Sequence, residues 1–261
     1  MKVVILAGGF GTRLSEESHL RPKPMIEIGG MPILWHIMKY YSHFGINDFI
    51  ICCGYKGYMI KEYFANYYLH RSDITFDFSN GGGVTIHSNV AEPWKVTIVD
   101  TGLETQTGGR IRQIQRFVNN EQFMLTYGDG VSSIDLTELL ATHNKSGKKI
   151  TLSAIQPGGR FGVLDINDRD GTITGFHEKA KESGSWINAG FMVMESSIFD
   201  YIEDSPLVVF ERAPLQRLSA DGKLGVYRHY GFWHCMDSAR DKGVLESLWQ
   251  EGSAQWKIWE D

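Results

Sequence analysis

The sequence predicts an α/β protein with a mixed, mostly parallel sheet flanked by helices and a more β-rich second half. Two observations carry that class. Compact apolar runs of strand length alternate with segments of helical period through roughly the first 130 residues, and a strand–helix–strand alternation of this kind builds a parallel sheet covered on both faces. The chain also has 261 residues, 42% hydrophobic and 12% aromatic, enough to bury a large core. No internal repeat, low-complexity tract or Pro/Ser-rich linker divides it, so a single domain over 1–261 is expected.

The first strand is predicted at Lys2–Ala7, an apolar run broken by Gly8-Gly9. Pro32 opens a helix whose Ile33, Leu34, Ile37, Met38, Tyr41 and Phe44 share one face, and Gly45 closes it. A second strand follows at Asp48–Cys53. Next come a helix near Lys56–Leu69 and strands near Ile74–Phe78 and Val96–Val99, with a turn over Ser79–Gly83 between two short strands. A helix near Gly108–Phe117, capped by Thr107, leads to a strand at Gln122–Thr126 that ends in Tyr127-Gly128-Asp129-Gly130. Beyond it, strands are expected at Ile150–Ile155, Gly162–Ile166, Thr172–Phe176 and Trp186–Met194, and a closing helix at about Ser238–Trp249. Parallel sheets place ligands at the carboxyl ends of their strands, so the loops there are the place to look for chemistry.

Composition narrows the classes of function. A net charge of −5 without a long Lys/Arg run argues against nucleic acid as the main partner and leaves a small substrate. Cys52 and Cys53 are adjacent in an apolar run and read as buried strand thiols, not a disulfide. No zinc-type spacing, signal peptide or membrane-length apolar stretch is evident, and a cytoplasmic location without membrane contact is expected.

The strongest motif is Leu6-Ala7-Gly8-Gly9-Phe10-Gly11-Thr12-Arg13-Leu14, followed by Arg21-Pro22-Lys23-Pro24-Met25. Glycines let the backbone approach a phosphate and present its N–H groups, and Arg13 and Lys23 can neutralise a polyphosphate. No Gly-Lys-Ser/Thr ends the loop, so it is not a P-loop; Leu14 stands where a dinucleotide fingerprint has its third glycine.

This loop and the Pro-Lys-Pro-Met that follows it resemble the signature of the sugar nucleotidyltransferase family. Residues 24–30, 32–39 and 50–57, with Glu92-Pro93-Trp94, Val99–Gly102 and Gly231-Phe232-Trp233, resemble the branch that makes CDP-glucose from CTP and glucose 1-phosphate; the resemblance runs from Met1 to about Trp259. It implies a Rossmann-like sheet of the nucleotide-diphospho-sugar transferase type, with a nucleotide half at about 1–130 and a sugar-phosphate half at about 131–261. It implies that Leu6, Ala7, Gly8, Gly9, Gly11, Thr12, Arg13, Lys23 and Gly128 hold the nucleotide, with Thr105 and Arg110 near the cytosine; Arg110 equally suits a purely structural role in fixing its loop. Tyr127, Glu178, Lys179 and Asn188 fall to the sugar phosphate. Ala180 and Ala189 depart from the family, which has Pro and Gly there.

Magnesium ordinarily takes one or two carboxylates and completes its shell with water and phosphate oxygens. Asp129 supplies one carboxylate and Asp237 a second, although Asp237 equally suits the N-cap of the last helix. Arg13, Lys23, Asp129 and Asp237 form the implied catalytic set. The resemblance further implies a homo-oligomer and a product used in deoxy-sugar synthesis for bacterial surface polysaccharides. Asp168-Arg169-Asp170 matches the D-x-D metal motif of glycosyltransferases, but Gly171 and the flanking short strands favour a hairpin turn.

Overall fold

The computed structural model describes residues 1–11, 17, 19–79, 82–156, 163–167, 169, 171–177 and 186–260. Strand β1 (Lys2–Ala7) has the predicted bounds and is buried from Val3 onward. Its alternate side chains enter two separate cores, Val3, Ile5 and Ala7 on one face of the sheet and Val4 and Leu6 on the other. A strand covered on both faces is apolar at every position rather than at every second one, which accounts for the continuous run.

A short 3-10 turn at Lys23–Met25 leads to β2 (Glu27–Ile28) and β3 (Met31–Pro32), which pair with each other. Helix α1 (Ile33–His43) follows, with Pro32 as N-cap and Gly45 in the left-handed region just past its end. A one-sided apolar face was expected, but burial runs almost all the way round to Trp35, His36 and Tyr40. The reason is distant in sequence: Trp249, Trp256 and Trp259 close over the other side of the helix, with rings set edge-on to Trp35 and His36.

Strand β4 (Asp48–Cys53) also keeps its predicted bounds and runs parallel to β1. The helix expected at 56–69 is two pieces, α2 (Gly57–Ala65) and α3 (Tyr67–His70), interrupted at Asn66, whose amide donates to the Glu62 carbonyl at 3.0 Å. Strands β5 (Ser72–Asp77) and β6 (Gly83–Asn89) form a hairpin apart from the main sheet, and β7 (Lys95–Asp100) returns to it beside β4. The helix expected at 108–117 is likewise divided, into α4 (Thr107–Gln113) and α5 (Gln115–Val118). Gln106, not Thr107, is the N-cap of α4; the Thr107 hydroxyl donates instead to Glu211 at 2.6 Å and accepts from the Phe210 N–H at 2.9 Å.

Strand β8 (Phe123–Tyr127) lies parallel to β1 on the side away from β4, and the short β9 (Gly130–Ser132) follows it. Helix α6 (Leu136–Ser146) is capped by Asp135, which accepts from the N–H groups of Thr137 and Glu138. The second half contributes β10 (Ile150–Ile155), β11 (Val163–Ile166), β12 (Ile173–His177), β13 (Trp186–Met194), α7 (Ala213–Ala220), β14 (Leu224–Arg228), β15 (Trp233–Cys235) and α8 (Ala239–Gln250). One nine-stranded sheet joins both halves in the order β12-β11-β13-β8-β1-β4-β7, with β10 paired to β13 and β14. The strands β8, β1, β4 and β7 are mutually parallel, whereas β13 is antiparallel to β8, β10 and β11.

The turn expected at Asp168-Arg169-Asp170 has the flanks it needs: β11 and β12 pair antiparallel, Gly171 has φ +68° and the Arg169 N–H donates to the Asn167 side chain. Asp168 and Asp170 themselves lie outside the described residues, as do Thr12, Arg13, Glu178 and Lys179. Among the described residues no helix is long and apolar enough to cross a membrane.

Candidate active site

The carboxyl ends of β1 and β8, with the stretch that follows β7, open onto a cavity of about 520 Å³. Its walls include every described residue that the family signature singles out: Leu6, Ala7, Gly8, Gly9, Gly11, Lys23, Thr105, Arg110, Tyr127, Gly128, Asp129, Asn188 and Asp237. Gly128 fits tightly where the end of β8 packs against β1. Its N–H donates to the Leu6 carbonyl at 2.9 Å, and a Cβ there would meet that same oxygen at 3.0 Å and Pro24 at 3.1 Å.

At one end of the cavity stands a cation between two carboxylates. Lys23 projects from its 3-10 turn to place Nζ 2.6 Å from Asp129 Oδ2 and 2.6 Å from Asp237 Oδ1. Asp129 and Asp237 are more than a hundred residues apart, and β9 and β15 bring them together: Gly130 pairs with Cys235, so the residues flanking that pair become neighbours, and the Met236 N–H donates to the Asp129 carbonyl at 2.9 Å. Burial opposes the charge on Lys23, but Asp129, Cys235 and Asp237 outweigh it and raise its pKa above the ordinary lysine value. The competing cap role for Asp237 falls to its neighbour: Ser238 is the N-cap of α8 and accepts from the Asp241 N–H.

At the other end, Arg110 is 4% exposed and committed to the chain itself. Its Nη1 donates to the carbonyls of Cys53 at 3.0 Å and Gly102 at 2.9 Å and to the Thr101 hydroxyl at 2.6 Å; its Nη2 donates to the carbonyls of Gly8 at 2.9 Å and Leu103 at 3.3 Å. Burial lowers its pKa, and its hydrogen bonds among the described residues go to carbonyls and a hydroxyl. Both terminal nitrogens of Arg110 are thus engaged by protein oxygens, the contacts expected of a guanidinium that fixes the loops after β1, β4 and β7, while the residue still lines the cavity. Gly8 and Gly54 leave room for it: a Cβ on either would lie within 3 Å of the guanidinium.

The remaining wall belongs to β8 and β13. The Asn188 side chain accepts from the Gly190 N–H at 2.9 Å, and Gly190, at φ +85°, presses against the Tyr127 ring, where a Cβ would come within 2.5 Å. Gly190 therefore supplies the unusual backbone in this strand, and the Ala189 methyl is buried in the core beside Ile187 and Phe191. The Tyr127 hydroxyl donates to Glu211, and burial together with that carboxylate lifts its pKa well above the ordinary value. Sequence reasoning missed Glu211, which ties Tyr127 to Thr107, and Trp233, whose indole N–H donates to the Ala189 carbonyl at 2.7 Å. Glu211 stands in no local pattern that would expose it, whereas Trp233 lies in the Gly231-Phe232-Trp233 stretch noted above, which carried no role for it.

Fold and site together define a nucleotide-handling transferase, and residues 2–252 match the nucleotidyl transferase family; the chain belongs to that family. It is 54% identical over 261 residues, the whole of both chains, to the glucose-1-phosphate cytidylyltransferase of Salmonella typhimurium. A probable glucose-1-phosphate cytidylyltransferase of Bacillus subtilis is 43% identical over 99% of this chain and 100% of its own. The crystal structure of HddC from Yersinia pseudotuberculosis superposes with a TM-score of 0.74 at 24% identity, over 95% of this chain and 99% of that one, a likeness of fold.

Proposed function

We propose that the chain joins CTP to glucose 1-phosphate, releasing pyrophosphate and forming CDP-glucose. The observation that carries the chemistry is the Asp129–Lys23–Asp237 cluster at the carboxyl end of a parallel sheet. The choice of base and sugar is supported by identity along the full length to the Salmonella enzyme of that activity. Both reactants are anionic, and two like charges about 4 Å apart repel by roughly 4 kcal/mol at an effective dielectric near 20, so the site must be rich in cations.

In this reading an oxygen of the sugar phosphate attacks the α-phosphorus of CTP and the bond from that phosphorus to the β-phosphate oxygen breaks in line. The attacking oxygen is already ionised, so no side chain has to act as nucleophile or base. Asp129 and Asp237 suit a divalent cation: two convergent carboxylates already hold one positive group between them. They would hold Mg²⁺, which when bound supplies charge neutralisation at the reacting phosphates. The loop from Leu6 to Gly11 offers backbone N–H groups, Thr12 and Arg13 continue it, and Lys23 places a fixed positive charge at the phosphate end. Tyr127 and Asn188 orient the sugar, with Glu178 and Lys179 assigned to the sugar and its phosphate. The nucleotide half is taken as about 1–130 and the sugar-phosphate half as about 131–261 of one unit. A homo-oligomer in the cytoplasm is part of the proposal; exposed Phe76, Phe78 and Val84 on the β5–β6 hairpin support assembly.

The test is a matrix of four nucleoside triphosphates against glucose, galactose and mannose 1-phosphates, read by pyrophosphate release. CTP with glucose 1-phosphate should give the highest kcat/KM; a preference for another base or another sugar overturns that part of the assignment and leaves nucleotidyl transfer standing.

A further inference from the structure

Beside the two carboxylates stands a thiol that nucleotidyl transfer leaves unused. Cys235 ends β15 opposite Gly130, so it lies between Asp129 and Asp237 along the backbone pairing and lines the cavity. One ligand atom from each of Asp129, Cys235 and Asp237 lies within 4.8 Å of the others, and the thiol is hydrogen-bonded to Asp237. The cluster already holds one cation, the Lys23 ammonium, on a single oxygen of each carboxylate. The other two cysteines, Cys52 and Cys53, are buried in the sheet, one in each core.

We propose that Cys235 turns this centre into a mixed oxygen–sulfur site, in which Cys235 Sγ joins Asp129 and Asp237 in ligating Zn²⁺ or Co²⁺. The inference rests on the reading of Asp129 and Asp237 as a metal-holding pair. Thiolate is a soft donor that favours zinc and its neighbours in the transition series, whereas magnesium is indifferent to sulfur and binds oxygen. Coordination releases the thiol proton to solvent. Three protein ligands on a tetrahedral ion leave a single position for substrate, where magnesium keeps several. Zn²⁺ therefore occupies the site in competition with Mg²⁺ and slows turnover.

The metal-free, full-length protein is titrated with Co²⁺ and followed by the near-ultraviolet sulfur-to-cobalt absorption; Zn²⁺ and Mg²⁺ binding are measured by calorimetry. The wild-type chain should show the band, and Cys235→Ser should lose it and bind Zn²⁺ at least about tenfold more weakly, with Mg²⁺ affinity within about twofold. Absence of the band in the wild-type chain overturns the proposal, as does its persistence in Cys235→Ser or an unchanged Zn²⁺ affinity there. The wild-type spectrum decides whether a thiolate is engaged even if the variant fails to fold. Asp129→Asn and Asp237→Asn separate the two readings. If they abolish Mg²⁺ binding while the wild-type chain shows no cobalt band, the thiol proposal alone fails. If Mg²⁺ binding survives both while the band depends on Cys235, the magnesium assignment fails and the thiol ligand stands.

Discussion

The two ends of the cavity each carry a cation, half-buried Lys23 and buried Arg110, and they are held in opposite ways. Lys23 sits between ionised carboxylates, partners that a metal ion can take over and that turn a positive charge toward incoming phosphate. Arg110 is held by backbone carbonyls and a hydroxyl, neutral groups that bind a guanidinium and offer nothing to exchange. A cation on carboxylates suits the proposed chemistry and a cation on carbonyls the framework, although both line one cavity.

That distinction is broken most directly at Arg110. Arg110→Met removes the donors for the Gly102 and Leu103 carbonyls and for the joint between the loops after β1 and β4. Hydrogen bonds to a charged group contribute roughly 1.5–3 kcal/mol each, so stability should fall by about 3 kcal/mol or more in urea unfolding. A variant of unchanged stability that lost only CTP affinity would return Arg110 to base recognition.

The carboxylate end should behave in the reverse sense. Asp129→Asn and Asp237→Asn are each expected to lower turnover at least about a hundredfold, near 2.7 kcal/mol in the barrier, and EDTA to abolish it. Pyrophosphate release from CTP and glucose 1-phosphate measures all three. Full activity in either variant removes that residue from the metal pair.

The contrast between these ends also marks what the sequence can reveal. Strands β1, β4, β10 and β13 were legible to their last residues, because a buried strand of a covered sheet is a bounded apolar run. The glycine-rich loop and Lys23 stood out because a phosphate cradle needs those residue types close together in the chain, and both line the cavity. The pairing of β9 with β15 was not: three residues meet three others about a hundred positions away, and nothing local records it. The breaks at Asn66 and Ile114 were equally hidden, since the apolar period continues across both. Arg110 was ambiguous for a related reason: its acceptors are main-chain oxygens, which every sequence supplies and none displays.

Glycine positions sharpen the framework end further. In Gly8→Ala the added Cβ would lie 2.2 Å from Arg110 Nη1 and 2.3 Å from Cζ, against a guanidinium already fixed on several acceptors. Overpacking of this kind costs about 1–3 kcal/mol, and urea unfolding should show it. The adjacent Gly9→Ala meets nothing within 4 Å and should change stability by less than about 0.5 kcal/mol. Equal effects at the two positions would mean that Arg110 can step aside, and its grip on the loops would be weaker than its contacts suggest.

The smallest effect separates two neighbours at the carboxylate end. Ser238 accepts from the Asp241 N–H at 3.2 Å and donates to the Asp241 carboxylate at 2.7 Å, so it does the capping that Asp237 was equally suited to do. Ser238→Ala should lower stability by about 1 kcal/mol, the ordinary loss for a missing N-cap. Asp237→Asn removes no cap and leaves Lys23 paired with Asp129, so its unfolding should shift by less than that. Turnover should rank them the other way, with the larger loss in Asp237→Asn, since of these two neighbours it is Asp237 that meets the cavity cation. Thermal or urea unfolding set beside pyrophosphate release on the same two variants reads both rankings. If Asp237→Asn proved the less stable protein and its remaining folded fraction turned over normally, Asp237 would be a helix-terminus residue, and the metal pair would be reduced to Asp129.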